Sequence, residues 1–213
     1  MNECKPIETV YNGYRFRSRL EARWAVFFDN AGIKYEYEPE GYESNGEMYL
    51  PDFYLPDADM HVEVKGVRQG YEKEIIRLEN FIVWGGPIKQ IVILSSIPDT
   101  SEPGLPHFPG FFWKGDGVET GWVFFAHGNV PHFSSANYRH PSIREWNLEN
   151  KWHPFSILPV SDYKLSVNRR NTSKTIDEMT GKTFDEMMRD VNKEVFAAFE
   201  KARQARFEHG EKG

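Results

Sequence analysis

A length of 213 residues, a formal net charge of −6 and a single cysteine, Cys4, exclude several protein classes at once. There is no partner for an intrachain disulfide, no set of thiolates for a structural zinc site, no apolar run near the ~20 residues of a membrane span, and no strongly basic surface of the kind that coats nucleic acid indiscriminately. The opening Met1-Asn2-Glu3-Cys4-Lys5-Pro6 lacks the apolar core of a secretory signal, so the expectation is a soluble, cytoplasmic protein with no membrane and no disulfide-linked partner, sized for one domain or one domain with a sizeable appendage.

In chain order, the first predicted helix starts at Ser18, with Glu21 three residues on, and ends near Asn30-Ala31-Gly32, where glycine is a natural stop. Leu20, Trp24, Phe27, Phe28 and Ala31 fall on one stripe at helical spacing. Lys34 to Glu38 alternates and reads as a strand, and Pro39 to Glu47 reads as a loop. Next comes Leu50-Pro51-Asp52-Phe53-Tyr54-Leu55, a strand with Pro51 at its start, where a missing N–H does little harm. Pro56, Asp57 and Asp59 are turn residues before the strand Val62-Glu63-Val64-Lys65-Gly66. Side chains alternate along a strand, so His61, Glu63 and Lys65 project to one face and Val62 and Val64 to the other. A second helix is expected from about Tyr71 to Val83, buried through Ile75, Leu78, Phe81 and Ile82 and closed by Gly85-Gly86-Pro87. The apolar run Gln90-Ile91-Val92-Ile93-Leu94 reads as a central strand covered on both faces.

From Ile97 to Gly117 the text turns to Pro, Gly and aromatics and reads as a long irregular segment. Gly121 to Ala126 reads as one more strand, and His127 to Pro159 carries no assignable pattern. Thr183-Phe184-Asp185-Glu186 is a capping box opening a final amphipathic helix to about Glu208. The expected fold class is α/β, a mixed central sheet flanked by helices, with an irregular aromatic-rich insertion and a C-terminal helix. Three regions follow: a core at 1–97, a Pro- and aromatic-rich extension with at least one further strand at 98–160, and a basic loop with the last helix at 161–213, all in one compact domain.

Asp52 on one strand, and Glu63 with Lys65 on the next, bring two hard oxygen ligands beside an ammonium, as a magnesium-dependent phosphodiester hydrolase requires. Pro51-Asp52 followed by Glu63-Val64-Lys65 resembles the signature of the PD-(D/E)XK nuclease superfamily. The upstream run Tyr14 to Trp24 looks like the first core helix of that family, on which Glu21 would be a further acidic site residue. The order of these residues is similar to phage-type Holliday-junction endonucleases and to small phage and bacterial nucleases, over roughly the first third to half of the chain. The resemblance implies a restriction-endonuclease-like core and a metal-dependent endonuclease acting on DNA, with branched or structured DNA as a candidate substrate. It further implies Asp52, Glu63, the Val64 carbonyl and Glu21 as ligands of Mg²⁺, for which Mn²⁺ would substitute. Lys65 would orient a water or stabilise charge on the phosphate, and a homodimer would suit cutting of both strands.

Each of these residues also has a plainer reading. Asp52 can end a strand, Glu63 can lie on a solvated face, and Lys65 can be one half of an ion pair. Ser18-x-x-Glu21 is itself a capping box, which alone accounts for a glutamate there. Arg15, Arg17, Arg19 and Arg23 at the start of the helix are either a solvated face or contacts to a DNA backbone. Lys164, Arg169, Arg170 and Lys174 form the most basic loop, which either grips phosphates or merely connects elements. His61 is either an auxiliary ligand or proton donor or a hydrogen-bonded strand histidine, and the other histidines lack metal-ligand spacing. A catalytically inactive nuclease-fold module, binding nucleic acid or a protein partner, is the alternative to an enzyme.

Overall fold

The computed structural model describes residues 6–44, 46–66, 78, 88–101, 106–113, 118–125, 131–134, 189–190 and 192–207. Among these, the chain is a mixed α/β fold. A short hairpin pairs β1 (Thr9–Tyr11) with β2 (Tyr14–Phe16) and leads into α1 (Arg19–Ala31). After β3 (Glu36–Tyr37), a second hairpin pairs β4 (Tyr42–Ser44) with β5 (Glu47–Tyr49). Then follow β6 (Phe53–Leu55), a 3-10 turn at Pro56–Ala58, β7 (Met60–Val64), β8 (Gln90–Leu94), β9 (His107–Trp113), β10 (Val118–Phe125), β11 (Pro131–Ser134) and α2 (Lys193–Gln204).

Seven of the described strands form one sheet in the order β11-β10-β9-β8-β7-β6-β3. All neighbours run antiparallel except β7 and β8, which are parallel. A parallel pair needs a crossover connection; of the helix expected there, Leu78 is the residue described, and it is helical and buried. β8 pairs with both β7 and β9, so the sheet continues without a break across position 97.

The helices lie against one face of this sheet. Ser18 caps α1, its hydroxyl accepting the Glu21 N–H at 3.2 Å, and Gly32 ends it in the left-handed region at φ 68°. The stripe that α1 buries meets α2 directly, with the rings of Phe27 and Phe199 stacked 4.2 Å apart. Trp24 is fully buried between elements, edge-on to Phe108 and Phe199, and its indole N–H donates to the Ser95 carbonyl at 2.8 Å. Beneath them, Val62, Val64, Val92 and Leu94 supply the apolar face of β7 and β8. Ile91 and Ile93 on β8 are buried as well, so that strand is covered on both sides as its composition predicts.

Several expected boundaries need correction. The segment 39–47 is not a plain loop, since it carries β4 and the start of β5. The aromatic insertion is not irregular throughout, because His107–Trp113 is a strand inside the sheet. Pro109 is tolerated there for a geometric reason: β8 pairs with β9 only at residues 110–112, so at Pro109 the strand has β10 alone beside it. The strand expected from Gly121 starts earlier, at Val118, and α2 ends at Gln204 before the expected Glu208. The Thr183 capping box and the bulk of the second helix lie outside the described residues.

Candidate active site

The β6–β7 pair sets the site. Phe53 stands opposite Val62 and Leu55 opposite Met60. Continuing that register by one step sets Asp52 opposite Glu63, on the same face, where directly opposed Cβ atoms lie about 4.5–5.5 Å apart. Both are nearly inaccessible, each 3% exposed. Lys65 N–H is engaged with the Leu94 carbonyl on β8 at 2.8 Å, and Val64, one residue earlier, turns its polar groups toward β6. Its N–H meets Asp52 Oδ2 at 2.7 Å.

Glu63 is held from two sides. The Tyr49 hydroxyl donates to Oε2, and Lys65 Nζ is ion-paired to Oε1. Tyr49 comes from the β4–β5 hairpin, which lies over this face of β7. A second tyrosine of the hairpin, Tyr42, bonds His61 Nε2 at 2.9 Å and donates to Glu40 at 2.9 Å. Burial, with help from Glu40, pushes the Tyr42 hydroxyl up to about 12. His61 lies on the same face as Glu63, as the alternation predicts, and burial holds its imidazole below the usual value.

Glu21 reaches the site from the first turn of α1 and is buried. Oε1 accepts from the Ser18 hydroxyl at 2.6 Å, and Oε2 accepts from the Arg17 N–H at 3.0 Å and from Tyr37 Oη at 2.7 Å. Burial and the Glu21 carboxylate together push the Tyr37 hydroxyl well above its ordinary value. Glu21 thus binds the residues that start the helix and also lies close enough to Asp52 to act on it electrostatically.

Arg17 Nη2 lies 2.6 Å from Asp52 Oδ1, and its Nε 2.6 Å from Glu38 Oε1. Burial works against the guanidinium charge, but Asp52, Tyr37, Glu38 and Glu21 outweigh it and raise its pKa. Asp52 moves in the direction opposite to a simple salt-bridge partner. Burial, then Glu63 and Glu21, lift its carboxyl well above the usual carboxylate range, and the Val64 N–H and Arg17 offset only part of this. Carboxylates forced together in a poorly solvated place raise one another's pKa in this way.

Of the other expected contacts, Arg15 pairs with Glu8 at the surface and Arg23 Nε donates to the Ala205 carbonyl at 3.3 Å. Arg19 is half-buried in the first turn of α1. Lys164, Arg169, Arg170 and Lys174 lie outside the described residues. Two site residues escape a reading of the motif alone, Glu38 and Tyr49. The period-2 alternation of residues 34–38 points to neither, and only the hairpin over β7 brings Tyr49 to Glu63.

No family model, no curated protein and no solved structure matches this chain.

A divalent cation suits the chemistry of this donor set. The oxygens are hard, each carboxylate oxygen keeps lone-pair capacity beyond the bonds it now accepts, and positive charge would relieve the repulsion that lifts Asp52. The fit is incomplete in space: among the described residues no three His, Cys, Asp or Glu side chains stand together as a ready-made cage. Instead, Arg17 is seated on Asp52 and Lys65 on Glu63.

Proposed function

We propose that this chain is a metal-dependent endonuclease that hydrolyses DNA phosphodiester bonds, with the residues around Asp52 and Glu63 as its active site. One observation carries the reading. Two buried acids meet at the β6–β7 pair, Asp52 just before β6 and Glu63 on β7, with Lys65 paired to Glu63 and the Asp52 carboxyl lifted by burial and its acidic neighbours. Such a cluster is unfavourable for a fold that needs only stability, because burying like charges together costs several kcal/mol unless cations compensate. Asp52, Glu63 and the Val64 carbonyl would hold Mg²⁺, or Mn²⁺ in its place, with Glu21 behind them. When bound, the ion supplies Lewis acidity and a water of lowered pKa.

The remaining work falls to the chain. Lys65 Nζ, kept beside Glu63, is placed to donate to a phosphate oxygen as negative charge builds there. Tyr49 fixes the orientation of Glu63, and the Val64 N–H fixes that of Asp52. Branched DNA as substrate, a homodimer to cut both strands and action in the cytoplasm complete the proposal. The test is cleavage of plasmid and branched DNA with Mg²⁺ or Mn²⁺, stopped by chelator. Asp52→Ala is expected to cut at least about a hundredfold more slowly while keeping the fold. Equal cleavage by wild type and variant refutes the assignment.

A second reading is a nuclease fold without catalysis that binds nucleic acid or a protein partner. It is favoured by the fact that all six oxygens of Asp52, Glu63 and Glu21 already have protein partners. Salt-sensitive DNA binding with no cleavage under either metal would select it.

A further inference from the structure

Arg17 has no part in the chemistry just proposed, yet it contacts three acids, Asp52, Glu38 and Glu21. Its guanidinium bridges Asp52 and Glu38, and its own N–H meets Glu21 Oε2 and Tyr37 Oη, each at 3.0 Å. The backbone is therefore anchored at the helix start while the side chain, 55% exposed, serves an Asp52 side chain that is 4% exposed. Glu38 completes the arrangement. Its backbone is left-handed at φ 45°, which a residue with a Cβ adopts only when its surroundings impose it. Its N–H donates to the Asp52 carbonyl at 3.0 Å, and its buried Oε1 touches Arg17 Nε without a well-formed hydrogen bond. The strained residue and the half-made contact converge on the same guanidinium.

Resting on the metal-dependent reading above, we propose that Arg17 is a positioning residue that occupies Asp52 in place of the divalent cation, yields it when metal binds, and remains tethered to Glu38. A guanidinium stays charged at any pH the protein meets. It cannot be neutralised out of the way, so its positive charge beside Oδ1 opposes a cation at that oxygen and the two compete for it. Glu38 makes the departure short, since Nε keeps an acidic partner throughout. The released Nη groups lie on the exposed side of the site, free to donate to an anionic phosphodiester. Arg17 thus keeps the buried acids compatible with the fold without metal and sets how tightly metal must bind to replace it.

Calorimetric titration of the full chain with Mn²⁺ tests this, with melting in chelator as a check of folding. Arg17→Gln is expected to bind Mn²⁺ about tenfold more tightly, because one charge-assisted hydrogen bond no longer has to be broken. A purely structural arginine would not tighten metal binding when lost. Glu38→Gln is expected to bind more weakly, because Arg17 then rests on Asp52 alone. Should Arg17→Gln fail to fold, Arg17→Lys, which lacks the guanidinium fork, is expected to tighten binding by a smaller factor. Unchanged or weaker Mn²⁺ binding in the Arg17 variants, with wild type binding normally, overturns the exchange and leaves the nuclease reading standing. No Mn²⁺ binding by any of the folded proteins overturns both.

Discussion

Glu21→Ala separates the structural duty of this residue from any catalytic one. The substitution removes the acceptor for the Arg17 N–H, the Tyr37 hydroxyl and the Ser18 hydroxyl. The Arg17 N–H keeps Tyr37 Oη as an acceptor, so the two donors left without one are the Tyr37 and Ser18 hydroxyls. A hydrogen bond to a charged group contributes about 1.5–3 kcal/mol. Relief of the Glu21 repulsion on Asp52 returns part of the loss, so the expected destabilisation is about 3–5 kcal/mol. In a chain of this size that is a fall in Tm of about 6–20 °C. Ser18→Ala, which removes only the cap, is expected to cost about 1 kcal/mol. Glu21→Gln keeps one acceptor oxygen and should fall between the two. Urea unfolding in chelator measures all three, each compared with its rate of DNA cleavage. A Glu21→Ala protein within about 0.5 kcal/mol of wild type refutes the bonding described here. A Glu21→Gln protein that keeps most of its stability but loses cleavage identifies a catalytic duty beyond the cap.

His61 predicts a pH dependence. Burial holds its imidazole below the ordinary value of 6.5, so as pH falls through 6.5 the unfolded chain takes up a proton that the folded one resists. Stability from this group is intact above that pH and lost progressively below it. Urea midpoints of metal-free protein from about pH 7.5 to about pH 5 should fall less steeply for His61→Gln than for wild type, and identical slopes would remove His61 from the account. Trp24→Ala deletes the ring shared by α1, α2, β9 and β10 and should cost about 3–5 kcal/mol. Trp24→Phe, which loses mainly the bond to the Ser95 carbonyl, should cost about 1–3 kcal/mol; equal midpoints for the two variants in chemical denaturation would contradict the described core.

Much of the layout is local and could be read from the chain. The α1 stripe, its Ser18 cap and Gly32 stop, the turn at Pro56–Asp59 and the alternation of β7 all depend on neighbours within a few positions. Two hairpins were legible but passed over. β1–β2 turns at Asn12-Gly13, both with positive φ, and Gly46, also with positive φ, leads into β5 as the second half of an Asn-Gly dipeptide in the sequence, the pair that two-residue turns favour. Their strands are only three residues long, too short for periodicity to register. β9 was hidden differently: prolines and glycines read as breakers, and only its place beside β10 makes Pro109 acceptable.

The identity and alternation of Asp52, Glu63 and Lys65 were settled by the amino-acid order alone, because a strand's period of two decides which side chains share a face. What surrounds them was decided by tertiary structure. Arg17 and Glu38 are separated from Asp52 by 35 and 14 positions, and Tyr49 from Glu63 by 14. No local rule links such residues. They meet because the apolar face of α1 must dock on the sheet, which carries the helix start to the end of β6, and because the hairpin folds over β7. Charge then does the rest: acids buried together draw in the nearest cations the fold can deliver.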